Sequence, residues 1–263
     1  MTRRPRLGTV VASDGVHLAV VDYNPPAAEH TVVFLHGLCL NRSAWAPQIG
    51  YLLRRFDDRL RIIAYDHRGH GTSECGPTDS YHVDRLGGDL ADILAALNVT
   101  GQLTLVGHSM GGMAALAYLA RDPADRPVDP HGLVLVATAA GNLTERGLGR
   151  LLHAPAVAAL CGLIGGTPQF AVKALGGPLC AALARWYGCD HAQRCTLAAL
   201  AARAVATTPA STIAGFLLSL CDYNQYAALA SVRARTIVVS GGGDLLTPVA
   251  HSEDLVVYQG LIR

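Results

Sequence analysis

The sequence predicts an α/β chain: a mostly parallel sheet of about seven strands, helices on both faces, and a helical segment inserted after the sixth strand. Short continuous apolar runs, at residues 31–35 and 61–65, are of the kind buried on both faces of a parallel sheet. They alternate with segments of helical apolar spacing, and the connections are long enough for crossovers. Between residues 141 and 229 this alternation stops. That stretch is rich in Ala and Leu, is broken at Gly165-Gly166, Gly176-Gly177-Pro178 and Thr208-Pro209, and carries no strand pattern.

Taken in order, residues 9–12 and 17–22 alternate apolar and polar about Asp14-Gly15 and predict a tight hairpin. The strand at 31–35 stops at His36-Gly37-Leu38 and leads to a helix over 43–55 with Ser43 as its cap. The strand at 61–65 ends in Asp66-His67-Arg68-Gly69-His70-Gly71-Thr72-Ser73. Leu86, Leu90, Ile93, Leu94 and Leu97 then fall at helical spacing. A fifth strand at 103–106 runs into Gly107-His108-Ser109-Met110-Gly111, followed by a helix whose small residues let it lie close to the sheet. A sixth strand occupies 131–137. After the insertion a seventh, at 235–240, ends in Gly241-Gly242-Gly243-Asp244, and Pro248 suits the first turn of a helix that carries His251. The organisation expected is a core of residues 1–140 and 230–263, with 141–229 as a helical cap.

At 263 residues, 51% hydrophobic and 16% charged, the chain buries a large core. A net charge of +1 gives no electrostatic case for nucleic acid. Seven cysteines, odd in number and without Cys-x-x-Cys spacing, point to free, mostly buried thiols in a reducing compartment, hence a cytoplasmic protein. No signal peptide is apparent, and the most apolar tract, 154–164, is too short to span a membrane.

The chemistry gathers at Ser109. Gly107 and Gly111 flank it because a sharp strand-to-helix turn leaves no room for a Cβ on either side. Its Oγ then stands exposed, and the Met110 N–H, at the helix start, faces a developing oxyanion. In an open parallel sheet ligands bind at the carboxyl ends of the strands, so His36-Gly37-Leu38, Ser109 and Asp244 converge.

Four ordered markers carry a resemblance: His36-Gly37, Asp66-x-Arg68-Gly69-x-Gly71-x-Ser73, Gly107-x-Ser109-x-Gly111 and Gly241-x-x-Asp244-x-x-x-Pro248. Over about residues 8–250 the chain resembles the α/β-hydrolase fold superfamily, in its esterase, lipase and perhydrolase-like branches. The resemblance implies that Ser109 is the nucleophile, that the backbone N–H groups of Leu38 and Met110 form the oxyanion hole, and that Asp244 orients a histidine. It implies hydrolysis of a carboxylic ester through an acyl-enzyme on Ser109, with no metal and no organic cofactor. The apolar cap favours an apolar acyl or lipid-like ester as the small-molecule partner. The alternatives are perhydrolase or haloperoxidase-type activity on the same serine, or a non-catalytic, receptor-like binding protein. Dehalogenase chemistry is disfavoured, since it needs a carboxylate where Ser109 stands. His36 reads as a loop histidine bonded to backbone, Asp66 and Arg68 as a self-satisfying turn, and His108 as packing.

The chain departs from the family in its last segment. The catalytic histidine belongs in a Gly-His loop after an eighth strand, whereas His251 is the one histidine after Asp244 and falls on a helix. A C-terminally truncated, impaired hydrolase is the expectation. Residues 255–258 then either fold back as a stub of an eighth strand or leave the seventh as an open apolar edge, prone to self-association.

Overall fold

A computed structural model describes residues 5–153 and 208–258. Seven strands form one sheet: β1 (Arg6–Val11), β2 (His17–Tyr23), β3 (His30–Leu35), β4 (Leu60–Tyr65), β5 (Gln102–His108), β6 (Gly132–Val136) and β7 (Arg235–Val239), in the order β1-β2-β4-β3-β5-β6-β7. The hairpin β1–β2 and the pair β2–β4 are antiparallel, and every pair from β4 to β7 is parallel. The helices are α1 (Ala46–Phe56), α2 (Val83–Ala96), α3 (Met110–Ala120), α4 (Ala210–Cys221), α5 (Tyr226–Leu229) and α6 (Val249–Tyr258). Most of the cap expected over 141–229 lies outside the described residues. Its described ends are helical: 3-10 turns at Leu143–Glu145 and Gly147–His153, then α4 and α5.

The core follows from the strand patterns. β4 is buried at every position, as a continuous apolar run demands, while β5 alternates and buries Leu103 and Leu105 beneath α2 and α3. Gly87 lets α2 and α3 touch: a Cβ there would lie 2.7 Å from the Tyr118 backbone nitrogen. α1 lies on the opposite face, where Trp45 and Ile49 pack with Val32, Phe34 and Ile62.

Two local expectations are corrected. The helix predicted at 43–55 starts later, because Asn41 rather than Ser43 takes the capping role. Its Oδ1 accepts from the Ser43 N–H at 3.0 Å and closes a 3-10 turn over Arg42–Trp45. α1 then opens at Ala46 with Pro47 in its first turn, where the missing N–H costs nothing. Residues 255–258 belong to α6 and form no eighth strand, and among the described residues β7 pairs with β6 alone.

Asp66 and Arg68 reach further than a local turn. Arg68 has a fully buried side chain and donates to Asp89 from Nε at 2.8 Å and from Nη2 at 2.6 Å, and to Asp14 from Nη1 at 2.7 Å. The loop after β4 is thereby clamped to α2 and to the β1–β2 hairpin. Asp66 accepts from the Arg42 and Thr72 backbone N–H groups at 2.8 and 2.9 Å, tying the same loop to the start of the helical segment after β3. Removing Arg68 strips Asp89, at 0% exposure, of its two shortest bonds and leaves it only Arg85, which donates from Nε at 3.1 Å. Arg68→Met is therefore expected to lower stability in urea titration by about 3–5 kcal/mol. A loss under about 1 kcal/mol, the level of a surface pair, would refute this account of the clamp.

The thiol expectation holds in part. Among the described residues Cys39, Cys75 and Cys221 form no disulfide, but Cys75 is exposed and the other two are half-buried. The remaining four cysteines lie outside the described residues.

Candidate active site

Ser109 stands between the last residue of β5 and the first of α3, with φ 51° and ψ −121°. A non-glycine residue at positive φ and this ψ is strained by about 1–3 kcal/mol and persists only when its surroundings hold it. Here four hydrogen bonds do so. The Ser109 N–H donates to the Val136 carbonyl at 2.9 Å, and the Ser109 carbonyl accepts from the N–H groups of Gly112 and Met113 and from Thr138 Oγ1 at 2.7 Å. The two flanking glycines are sterically required. A Cβ on Gly107 would lie 2.5 Å from the Gly112 backbone, and one on Gly111 would lie 2.3 Å from the Leu35 carbonyl oxygen. Gly111→Ala pushes α3 off the end of β3, and we expect it to lower stability by about 3 kcal/mol and to abolish reaction at Ser109. A variant of wild-type stability and reactivity would show that the turn tolerates a Cβ.

The loop after β3 lies directly against this turn. A Cβ on Gly37 would sit 2.8 Å from His108 Nδ1 and 3.2 Å from Ser109 Cβ. Three buried histidines fix the loop. His36 Nδ1 donates to the Gly37 carbonyl at 2.8 Å, as expected of a loop histidine bonded to backbone, and its Nε2 accepts from the His67 N–H at 3.0 Å. His67 Nε2 donates to the His36 carbonyl at 3.0 Å. His70 Nδ1 donates to the Arg68 carbonyl and its Nε2 accepts from the Cys39 N–H at 3.1 Å. These bonds require neutral rings of defined tautomer, and burial enforces it. It pushes His67 down to about 3 and His70 to about 4, and drives His36 well below the usual imidazole range, helped by the neighbouring rings. Cys39 sits at φ 62°, held by its bond to His70, and burial pushes its thiol up to about 12. The Leu38 and Met110 N–H groups donate to nothing among the described residues. Met110 opens α3, where unpaired N–H groups and the helix dipole favour negative charge.

Asp244 lies on the loop that leaves the carboxyl end of β7, beside the β6 end that holds Ser109. Its Oδ1 accepts from the Leu246 and Thr247 N–H groups at 2.9 and 3.0 Å, and its Oδ2 from Thr247 Oγ1 at 3.0 Å. It thus shapes its own turn, and no histidine is hydrogen-bonded to it among the described residues. Its charge reaches two imidazoles, His108 and His251, opposing the downward push that burial exerts on each. His251 lies on α6, as Pro248 implied, fully buried, with neither ring nitrogen bonded among the described residues. Ser109, the Gly37–Leu38 segment and Met110 are brought together, while Asp244, on the loop after β7, and His251, on α6, make no bond to them. Sequence reasoning missed Thr138, His67 and His70. The two histidines lie in a motif already singled out, but Thr138 has no local signal, because only the fold places it against Ser109.

The strand order, the crossovers and the strand–serine–helix turn define the α/β-hydrolase class of fold. The sequence profile described as "alpha/beta hydrolase fold" matches residues 30–256, and the chain belongs to that family. It is similar to 3-oxoadipate enol-lactonase 1 of Acinetobacter baylyi, at 28% identity over 235 residues, covering 89% of this chain and 78% of the relative. A shorter match, 36% identical over 115 residues, is to the non-heme chloroperoxidase of Streptomyces lividans, covering 44% of this chain and 40% of that one. Among solved structures, an esterase from Exiguobacterium antarcticum superposes with a TM-score of 0.68 at 22% identity, over 97% of this chain and 88% of its own, a likeness of fold. No helix among the described residues is long and apolar enough to cross a membrane.

Proposed function

We propose that this chain is a serine hydrolase that cleaves a small carboxylic ester or lactone through an acyl-enzyme on Ser109. The observation that carries the reading is the strained Ser109 turn, held by four hydrogen bonds against a loop that presents an unbonded Leu38 N–H. Strain of this kind persists where a side chain must be aimed. Ser109 Oγ attacks the acyl carbon, and the Leu38 and Met110 N–H groups receive the oxyanion. The acyl group is apolar: Leu38 packs against a buried cluster that includes Met113, Ala139, Leu143 and Leu220. The enol-lactonase relative supports an internal ester as one substrate form, and the chloroperoxidase relative keeps perhydrolysis on the same serine in view.

His251 is the base this reading assigns, since its two ring nitrogens are unbonded and the Asp244 charge lies close by. A fluorophosphonate probe tests both assignments. Labelling of the wild type and none of Ser109→Ala is expected, with labelling of His251→Ala slowed by at least about a hundredfold. Equal labelling of His251→Ala would give the base to another residue. One observation favours a second reading, binding without turnover: no histidine is bonded to Asp244 or Ser109 among the described residues. A wild type that binds ester without being labelled would establish it.

A further inference from the structure

Asp254 is the point at which both described ends of the inserted segment meet α6. Arg146, on the chain that leaves β6, donates from Nη1 to Asp254 Oδ2 at 2.8 Å and to the Ala250 carbonyl at 2.9 Å. Tyr226, the first residue of α5, donates from its hydroxyl to the same Asp254 oxygen at 2.6 Å. Beside Arg146, the Leu148 N–H donates at 2.7 Å to the carbonyl of Leu245, the residue after Asp244. Gly147 permits that approach: it sits at φ 54°, and a Cβ on it would lie 2.4 Å from the Leu245 carbonyl oxygen. One short stretch, residues 146–148, thus ties together the loop that carries Asp244 and the helix that carries His251.

Packing alone does not set the rotation of α6. Its buried residues are His251, Ser252 and Leu255, so a single leucine is its whole buried apolar seam, while Val249, Val257 and Tyr258 are exposed. A helix without a broad apolar stripe takes its orientation from polar bonds. Residues 251 and 254, three apart, share a face, and the Arg146 guanidinium bridges the carbonyl just before His251 to the carboxylate one turn on. His251 itself anchors nothing, since neither ring nitrogen is bonded among the described residues. Four charges face its ring: Arg146, which disfavours the imidazolium, and Asp254, Asp244 and Glu145, which favour it.

We propose that Arg146 and Asp254 are positioning residues: their ion pair, completed by the Tyr226 hydroxyl, sets the rotation of α6 and so fixes where the His251 imidazole stands relative to the Asp244 carboxylate. The inference rests on His251 being the base of the reaction proposed above. The Arg146 side chain is 30% exposed and that of Asp254 23%, so the pair contributes little to the stability of the fold. Its effect belongs in the reaction. Two substitutions break the same pair while removing opposite charges, and that contrast separates positioning of the imidazole from a general loosening of α6.

The test compares the full chain with Arg146→Met and Asp254→Asn, and His251→Ala is assayed beside them. With a p-nitrophenyl ester, kcat is expected to fall at least about tenfold in each of the first two variants while KM stays within about twofold. The midpoint of the acid limb of kcat/KM, and the His251 midpoint followed by NMR titration, are expected to move up in Arg146→Met and down in Asp254→Asn, each by at least about 0.3 pH unit. A loosened helix alone would move both midpoints the same way or neither. Unchanged kcat in the two variants, or midpoints that do not part in opposite directions, would overturn the proposal while leaving His251 as the base. Full activity in His251→Ala, or a wild type without turnover, would remove the base assignment and this proposal with it.

Discussion

Ser109→Ala is expected to lower kcat/KM for a p-nitrophenyl ester by at least about 10,000-fold while leaving the unfolding free energy from urea titration within about 0.5 kcal/mol of wild type. The reason lies in what the substitution removes and what it keeps. The oxygen proposed to attack disappears, whereas the backbone bonds that hold the turn, to Val136, Gly112, Met113 and Thr138, involve main-chain atoms of residue 109 and survive. On the proposed mechanism only weak acceleration remains, from the Leu38 and Met110 N–H groups and from substrate positioning. Alanine keeps the Cβ, so the backbone strain at this position is unchanged and the stability with it. If Ser109→Ala kept a tenth of wild-type turnover, the nucleophile would have to be sought elsewhere.

The strands and the Ser109 turn are legible in the sequence because each is fixed by neighbours a few residues away. Continuous apolar runs identified β3 and β4, and two glycines flanking Ser109 announced a turn that no Cβ can enter. What was not legible depends on distant partners. Arg68 is buried because Asp14 and Asp89 meet it from 54 and 21 residues away, so no local pattern announces the clamp. The start of α1 was misplaced because Asn41 and Pro47 compete with Ser43 for the same job. In β7 the run Thr-Ile-Val-Val reads as buried on both faces, yet Ile237 is 60% exposed, because covering a face requires an element that the strand itself cannot encode. Asp244 shows the same limit within the site. Its position after β7 follows from the sequence, while the Leu246 and Thr247 bonds that occupy its carboxylate depend on a turn that appears only in the folded chain.

The histidines that fix the Gly37–Leu38 loop make the fold acid-sensitive. In the unfolded chain His67 and His70 titrate near 6.5, and in the folded protein burial holds them down to about 3 and about 4. Between these limits the unfolded chain binds protons that the folded protein refuses. Their contribution is therefore fully present above pH 6.5 and is lost as pH falls toward 4. Each ring contributes about 1.4 kcal/mol per pH unit in that window, so the two together remove roughly 6 kcal/mol by pH 4, a large part of the about 5–15 kcal/mol by which domains are stable. His36, pushed down by burial and its neighbours, acts in the same direction. Urea titrations from pH 6.5 to 5 are expected to show stability falling by roughly 2 kcal/mol per pH unit from His67 and His70 together, with His36 acting in the same direction. His67→Phe, whose replaced ring makes one hydrogen bond through Nε2 and leaves Nδ1 unpaired, should lower that slope by about 1 kcal/mol per unit. Labelling at Ser109 should persist from pH 6.5 to 5 while the protein stays folded, since the rings remain neutral there, and should fail near pH 4, where protonation of His70 removes the acceptor of the Cys39 N–H that helps to hold the Leu38 N–H beside the serine. A flat stability profile from pH 6.5 to 5 would mean that these rings are protonated in the fold, and the hydrogen-bond assignments at His36 Nε2 and His70 Nε2, both acceptors, would then have to be abandoned.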